Sequence, residues 1–222
     1  MLLRWIHILA VSLLGLTIVA CAASKLSIAI PASIETSNLN LIGFNENQVE
    51  SIERLYERIN GLDSPIVQIP NDIYEGRAKF EQLFGFPFSG PAVVQWLGHH
   101  IETLRFQEDW TVAVNLRNGV VGLGSQFFEL PVLDQMYLLI HEAAHSVPGS
   151  PQHVNCDSRN ESISVYQREM NLHDHPACDR TSNGAYSFQA AFLFQLYARG
   201  LVNPSRAGLL YNTTLTRIEV AK

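Results

Sequence analysis

Basic side chains are scarce in this chain of 222 residues, which has 15 Lys and Arg against 21 Asp and Glu. The formal net charge is −6, and no stretch of the sequence gathers the basic residues into a stripe. Proteins that bind nucleic acids use clustered Lys and Arg to neutralise phosphates, so this composition argues against a nucleic-acid partner. Internal repeats and low-complexity segments are also lacking, and the length suits one domain with a sizeable core.

The first 20 residues carry a single charge, Arg4, and are otherwise almost entirely apolar. This pattern predicts a secretory leader, and a transmembrane anchor is the alternative. The leader ends in Ile18-Val19-Ala20-Cys21, which resembles a bacterial lipobox. The resemblance implies cleavage before Cys21, a lipid anchor on that cysteine and, with Ala22 following it, sorting to the outer membrane. The protein would then face the periplasm or the cell surface.

Removing the leader leaves 14 Lys and Arg against 21 Asp and Glu, a net charge of about −7. Residues 21–40 are rich in Ser, Ala and Pro and are predicted to tether the anchor to a domain spanning residues 41–222. Cysteine is rare, with three in the chain. If Cys21 is lipidated, Cys156 and Cys178 form an even pair, which predicts a disulfide in an exported protein. A C-x-x-C spacing is absent, so a metal role for these cysteines is disfavoured.

The motif that carries chemistry is His141-Glu142-Ala-Ala-His145, which follows an apolar run with helical spacing. On a helix, residues four apart lie on one face, so His141 and His145 could bind one zinc ion. Glu142 would then act as the general base that takes a proton from the zinc-activated water. The alternative is a surface helix that carries these residues by chance. Five of the seven histidines outside the leader lie between residues 141 and 175, which favours the metal site.

The segment before this helix predicts a β-hairpin. Residues 110–116 alternate like a strand, Asn118-Gly119 is a strong turn signal, and residues 120–128 form the predicted return strand. A hairpin that leads directly into an H-E-x-x-H helix resembles the zincin metallopeptidases, over roughly residues 110–200 in layout. The resemblance implies an α+β fold in which further helices pack around the active-site helix. We also expect helices from Asn45 to Gly61, over residues 92–105 and 184–199, and near residues 205–212.

A catalytic zinc site usually has three protein ligands and one open position, so a third ligand is needed. In metzincins a glycine and then a histidine follow the motif. Gly149 and His153 come in that order here, although His153 lies eight residues after His145, two more than the strict pattern. Asp179 and Glu161 are the main alternatives. We expect His99, His100, His173 and His175 to be surface, packing or loop residues.

Tyr186 falls in the first turn of the helix predicted over residues 184–199, soon after Cys178 and Asp179. Its hydroxyl could help to stabilise an oxyanion, and the alternative is an aromatic ring that packs against a loop.

Together these features predict a lipid-anchored zinc metallopeptidase that acts on peptides or proteins. Zinc would be bound by His141, His145 and His153, with Glu142 and Tyr186 as catalytic residues. The alternative function is a non-catalytic lipoprotein whose zinc is structural or recruits a partner.

Overall fold

The computed structural model describes residues 25–29, 38–75, 78–109, 112–157, 161–163 and 169–219. The predicted leader and Cys21 lie outside these residues. No helix in the described part of the chain has the length and apolar character needed to span a bilayer.

The described residues form seven α-helices and nine short strands. The helices are α1 (Glu46–Asn60), α2 (Phe80–Phe84), α3 (Gly90–His100), α4 (Ser125–Glu129), α5 (Val132–Ala144), α6 (Ala185–Ala198) and α7 (Pro204–Leu215). The strands are β1 (Lys25–Ala29), β2 (Asn38–Ile42), β3 (Thr103–Phe106), β4 (Ala113–Asn115), β5 (Val120–Leu123), β6 (Val154–Asn155), β7 (Glu161–Ile163), β8 (Glu169–Asn171) and β9 (Pro176–Cys178). The predicted α+β class is therefore confirmed.

Five strands form the main sheet, in the order β1-β2-β3-β5-β4. Strands β2, β3 and β5 are parallel, whereas β4 is an edge strand that pairs antiparallel with β5. At the other edge β1 pairs antiparallel with β2. The segment predicted as a tether, residues 21–40, contains β1 and the beginning of β2. The predicted hairpin is present as β4 and β5.

Two predicted helices match the structure closely because their end signals are local. Asn45 caps α1 by accepting a hydrogen bond from the backbone of Gln48, and the Gln48 side chain accepts one from the Asn45 backbone in return. Gly61 ends the helix as predicted. Helix α6 spans all but the two end residues of the predicted range, and its position in the core explains why it is apolar on every side.

Two predicted boundaries are wrong. The helix expected over residues 92–105 ends at His100, because Ile101 turns to an extended conformation and the chain enters β3. The return strand expected over residues 120–128 ends at Leu123, and Ser125–Glu129 forms α4. The hairpin therefore reaches α5 through this short helix rather than directly.

The core lies between the sheet and the helices. Helix α5 is buried along most of its length and packs against α6, α3 and α1, while α6 also packs against α7. Buried Asp134 of α5 forms a two-pronged ion pair with Arg206 of α7. The ion pair holds the first turn of α5, at the opposite end of the helix from the H-E-x-x-H motif.

Candidate metal centre

The C-terminal end of α5 brings the motif residues together. His141 and Glu142 lie in the last turn of the helix, and His145 is the residue at its C-terminal cap. His141 and Glu142 are buried, with 7% and 8% of their surface exposed. The two imidazole rings lie 5.0 Å apart between centroids, so they face one region of space as the spacing predicts.

The loop after α5 returns His153 to these residues. Turns at Ser146 and Val147 follow the helix, and Gly149 adopts a left-handed conformation (φ 78°) that favours glycine. Nε2 of His153 lies 3.0 Å from Nε2 of His141 and 3.1 Å from Nε2 of His145. Among the residues that the structure describes, these three histidines form a group that could hold a metal ion.

The other candidate ligands occupy different places. Asp179 lies behind His153, with its Oδ1 2.8 Å from Nδ1 of that ring. Glu161 is in β7, where the structure describes the backbone and not the side chain. His173 and His175 are exposed loop residues, as expected.

The two histidines of α3 also lie away from the centre. His99 is exposed, and His100 packs against Trp96 with ring centroids 4.8 Å apart. Both are surface or packing residues, as the sequence predicts.

Hydrogen bonds fix the tautomer of His141. The hydroxyl of Thr214 donates to the carbonyl of Leu210 at 2.7 Å, so it accepts from Nε2 of Gln189 at 2.9 Å. This orients the carbonyl oxygen of the Gln189 side chain toward Nδ1 of His141, 3.0 Å away. Nδ1 therefore carries the proton, and Nε2 presents a lone pair to the centre.

Nδ1–H of His153 donates a hydrogen bond to the carboxylate of Asp179. The remaining nitrogen, Nε2, points at the lone pair of His141. Lone pairs in this arrangement repel unless a cation lies between them. A proton on one ring can bridge to a single neighbour at a time, whereas a metal ion satisfies all three nitrogens at once.

The spacing of the nitrogens fits such an ion. Ligand nitrogens about 2.1 Å from a tetrahedral zinc ion lie about 3.4 Å apart, and the distances here are a few tenths of an ångström shorter. Three imidazoles also suit zinc as a donor set. The residues present therefore fit a zinc ion with three protein ligands.

Burial favours the neutral form of the His141 and His145 imidazoles, which is the form that binds a metal. Desolvation holds the pKa of His141 well below its usual value, and the neighbouring His153 and His145 lower it further. Desolvation also lowers the pKa of His145 to about 4, again with a contribution from His153. Desolvation raises the pKa of the Glu142 carboxyl to about 7, and a hydrogen bond from the Asn115 backbone partly offsets that rise.

The centre opens onto a cleft of about 430 Å³. Its lining includes the three histidines, Glu142 and residues of β4. The Asn115 side chain ties the strand to the helix, because its Nδ2 donates to the carbonyl of Glu142 at 2.6 Å and to Oγ of Ser146 at 2.9 Å. The sequence does not indicate Asn115, since nothing local shows that this strand residue meets a helix residue 27 positions away.

Tyr186 lies in the first turn of α6 and lines the cleft. Its ring stacks on His153 with centroids 4.6 Å apart, and its hydroxyl oxygen accepts a hydrogen bond from Arg217 at 2.6 Å. The Arg217 guanidinium also lies over the ring, 4.9 Å from its centroid. The predicted residue therefore lies beside the centre, where its ring packs against His153.

The predicted disulfide joins Cys156 to Cys178. These sulfurs and Glu219 form a second group with metal-ligand spacing, but disulfide sulfur has no thiolate to offer a metal. The bond instead connects β6, which directly follows His153, to β9, which directly precedes Asp179.

The chain matches no family model, no curated protein and no solved structure. The function is therefore inferred from the geometry of the centre itself.

Proposed function

We propose that this protein is a zinc-dependent hydrolase that cleaves peptide bonds. The observation that supports the proposal most strongly is the convergence of three Nε2 atoms beside a buried glutamate in an open cleft. A structural zinc site is normally closed by four protein ligands. The group found in the described residues has three and faces the cleft, which supports catalysis over the structural alternative.

His141, His145 and His153 would hold the ion. When bound, zinc would polarise the scissile carbonyl and make water a better nucleophile at neutral pH. Glu142 would act as general base, since its carboxylate lines the same cleft and is not needed as a ligand. The carboxylate accepts a proton from the attacking water and later returns it to the leaving amine.

Strand β4 supports a peptide as the substrate. Hydrogen bonds from Gly124 to Val112 and from Leu116 to Val120 mark the positions where β4 bonds to β5. Because these positions alternate along an antiparallel pair, the backbone groups of Ala113 and Asn115 point away from β5. Both residues line the cleft. The Asn115 N–H already bonds to Glu142, so an extended peptide could pair with this edge through the remaining backbone groups of Ala113 and Asn115, beside the metal ligands.

Tyr186 would stabilise negative charge on the substrate. Its oxygen accepts from Arg217, so its own proton is free to be donated into the cleft. A hydroxyl placed where charge develops lowers the barrier more than it stabilises the bound substrate.

The disulfide supports an exported location, because such bonds persist mainly in oxidising compartments. Attachment to the outer membrane through a lipid on Cys21 remains part of the proposal.

The test is Glu142→Gln, which removes the basic carboxylate and keeps its size. We expect about one zinc per chain in the wild type and in the variant, and a loss of roughly 10²–10⁴ in peptide turnover. Zinc content and cleavage of a peptide library, followed by mass spectrometry, are measured on the same preparations. Glu129→Gln removes a charge from an exposed site on α4 and serves as the control.

Cleavage by Glu142→Gln at the wild-type rate would contradict the role of this residue. A wild-type domain that binds zinc and cleaves no peptide would favour the non-catalytic alternative.

A further inference from the structure

The geometry points to Asp179 as a positioning residue that presents Nε2 of His153 to the metal. This inference rests on the proposed metal site. The roles of the three candidate ligands do not explain why the carboxylate of Asp179 lies behind His153 with none of its surface exposed. Burying a carboxylate is costly unless it is paired, so its contacts need an explanation.

One oxygen of Asp179 orients the imidazole. Oδ1 accepts from Nδ1 of His153 at 2.8 Å, which sets the tautomer and the direction of the ring. His153 lies on a loop, whereas His141 and His145 are held by a helix, so the third ligand has the greatest need of an external support. A carboxylate on the far nitrogen also makes the near nitrogen a stronger donor to a cation.

The other oxygen fixes the carboxylate itself. Oδ2 accepts from the backbone N–H of Tyr186 at 2.8 Å, in the first turn of α6. Gly184 makes room for this contact, because a Cβ at that position would lie 2.1 Å from Oδ2. The φ of Gly184, −78°, is open to any residue, so the backbone conformation does not require glycine here. Glycine is required because the Asp179 carboxylate occupies the space of a side chain.

The backbone of Asp179 is held on both sides. Its N–H donates to the carbonyl of Arg217 at 2.8 Å, and its carbonyl accepts from Glu219 at 2.7 Å. The preceding residue, Cys178, is in the disulfide. Asp179 thus connects three parts of the chain to one ligand, and it anchors the turn that places Tyr186.

The experiment compares metal affinity in Asp179→Asn and Gly184→Ala with the wild type. Asp179→Asn retains an acceptor for His153 and removes the charge. Gly184→Ala leaves every ligand and Asp179 unchanged, and displaces the carboxylate. We expect each change to weaken zinc binding by about 10–100-fold in competition with a chromophoric chelator.

A spectroscopic measurement separates positioning from general loss of stability. Co²⁺ bound to the wild type should give visible absorption bands of a low-coordinate site, and both variants should show shifted or weakened bands. The control is Asp134→Asn, which also removes a fully buried carboxylate with a bonded partner, remote from the centre. It should lower the unfolding midpoint and leave the affinity and the Co²⁺ spectrum unchanged.

Zinc affinities within twofold of the wild type in both variants would overturn the assignment. If Asp179→Asn does not fold, Gly184→Ala decides the matter alone. A wild-type protein that binds neither Zn²⁺ nor Co²⁺ would contradict the proposed metal site, and the role of Asp179 with it.

Discussion

At the scale of single residues, the three histidines differ in what holds their second nitrogen. His141 is held by the Gln189 amide and His153 by the Asp179 carboxylate. Nδ1 of His145 is buried with no hydrogen-bond partner among the described residues. No side chain of the described residues therefore holds the second nitrogen of His145, whereas the other two rings are held by Gln189 of α6 and by Asp179, which follows β9.

This difference predicts that Gln189→Leu weakens the metal site. The change removes the acceptor for Nδ1 of His141 and frees the ring to take the other tautomer, which would turn a proton toward the centre. We expect zinc affinity to fall about tenfold, measured by chelator competition. Gln195→Leu changes another buried glutamine of α6 that bonds to Asn71 instead, and it should leave the affinity unchanged. Equal losses in both variants would show that general destabilisation is the cause.

Part of this centre could be predicted from the sequence. The motif gave His141, Glu142 and His145, and the order of glycine and histidine after it indicated His153. Asp179 was expected as a possible ligand, and the structure places it one layer further out. Gln189 follows His141 by 48 residues and carries no motif, so only the packing of α6 on α5 reveals it.

At the scale of elements, prediction succeeded where the deciding contacts are local and failed where they are distant. Capping residues mark both ends of α1. Strand β3, by contrast, is fixed by distant partners. Its residue Thr103 pairs with Asn40 of β2 on one side and with Val120 of β5 on the other. Ile101 and Leu104 are buried and lie three residues apart, close to helical spacing, which is why residues 101–105 resembled the continuation of α3.

The disulfide is the element-scale feature with a measurable energy. It closes a loop with a sequence separation of 22 residues, and the chain-entropy model assigns about 3 kcal/mol to such a loop. We therefore expect the double change Cys156→Ala and Cys178→Ala to lower the free energy of unfolding by about that amount in urea titrations. Zinc affinity should fall as well, since β6 and β9 adjoin His153 and Asp179. Reducing the wild type with a dithiol in the absence of zinc should reproduce the loss of stability, and unchanged stability in either case would contradict the prediction.

At the scale of the whole molecule, the centre collects side chains from parts of the chain that are far apart in sequence. The three candidate ligands come from α5 and the loop after it. Asn115 comes from the sheet edge, Gln189 from α6 and Arg217 from the C-terminal segment. A metal ion bound there acts as a cross-link that the unfolded chain lacks. Its binding energy should therefore appear as stability of the entire domain.

We expect zinc to raise the thermal unfolding midpoint of the metal-free protein. Free zinc at 100 times its dissociation constant would add about 2.7 kcal/mol, which corresponds to roughly 5–10 °C for a domain of this size. Calorimetry over a series of buffered zinc concentrations gives the shift, and its dependence on concentration gives an affinity to compare with chelator competition. The double variant His141→Ala and His145→Ala removes two of the three ligands, so its midpoint should stay constant across the series. An equal rise in that variant would mean that zinc stabilises the fold from another position, and the centre on α5 would then not be the metal site.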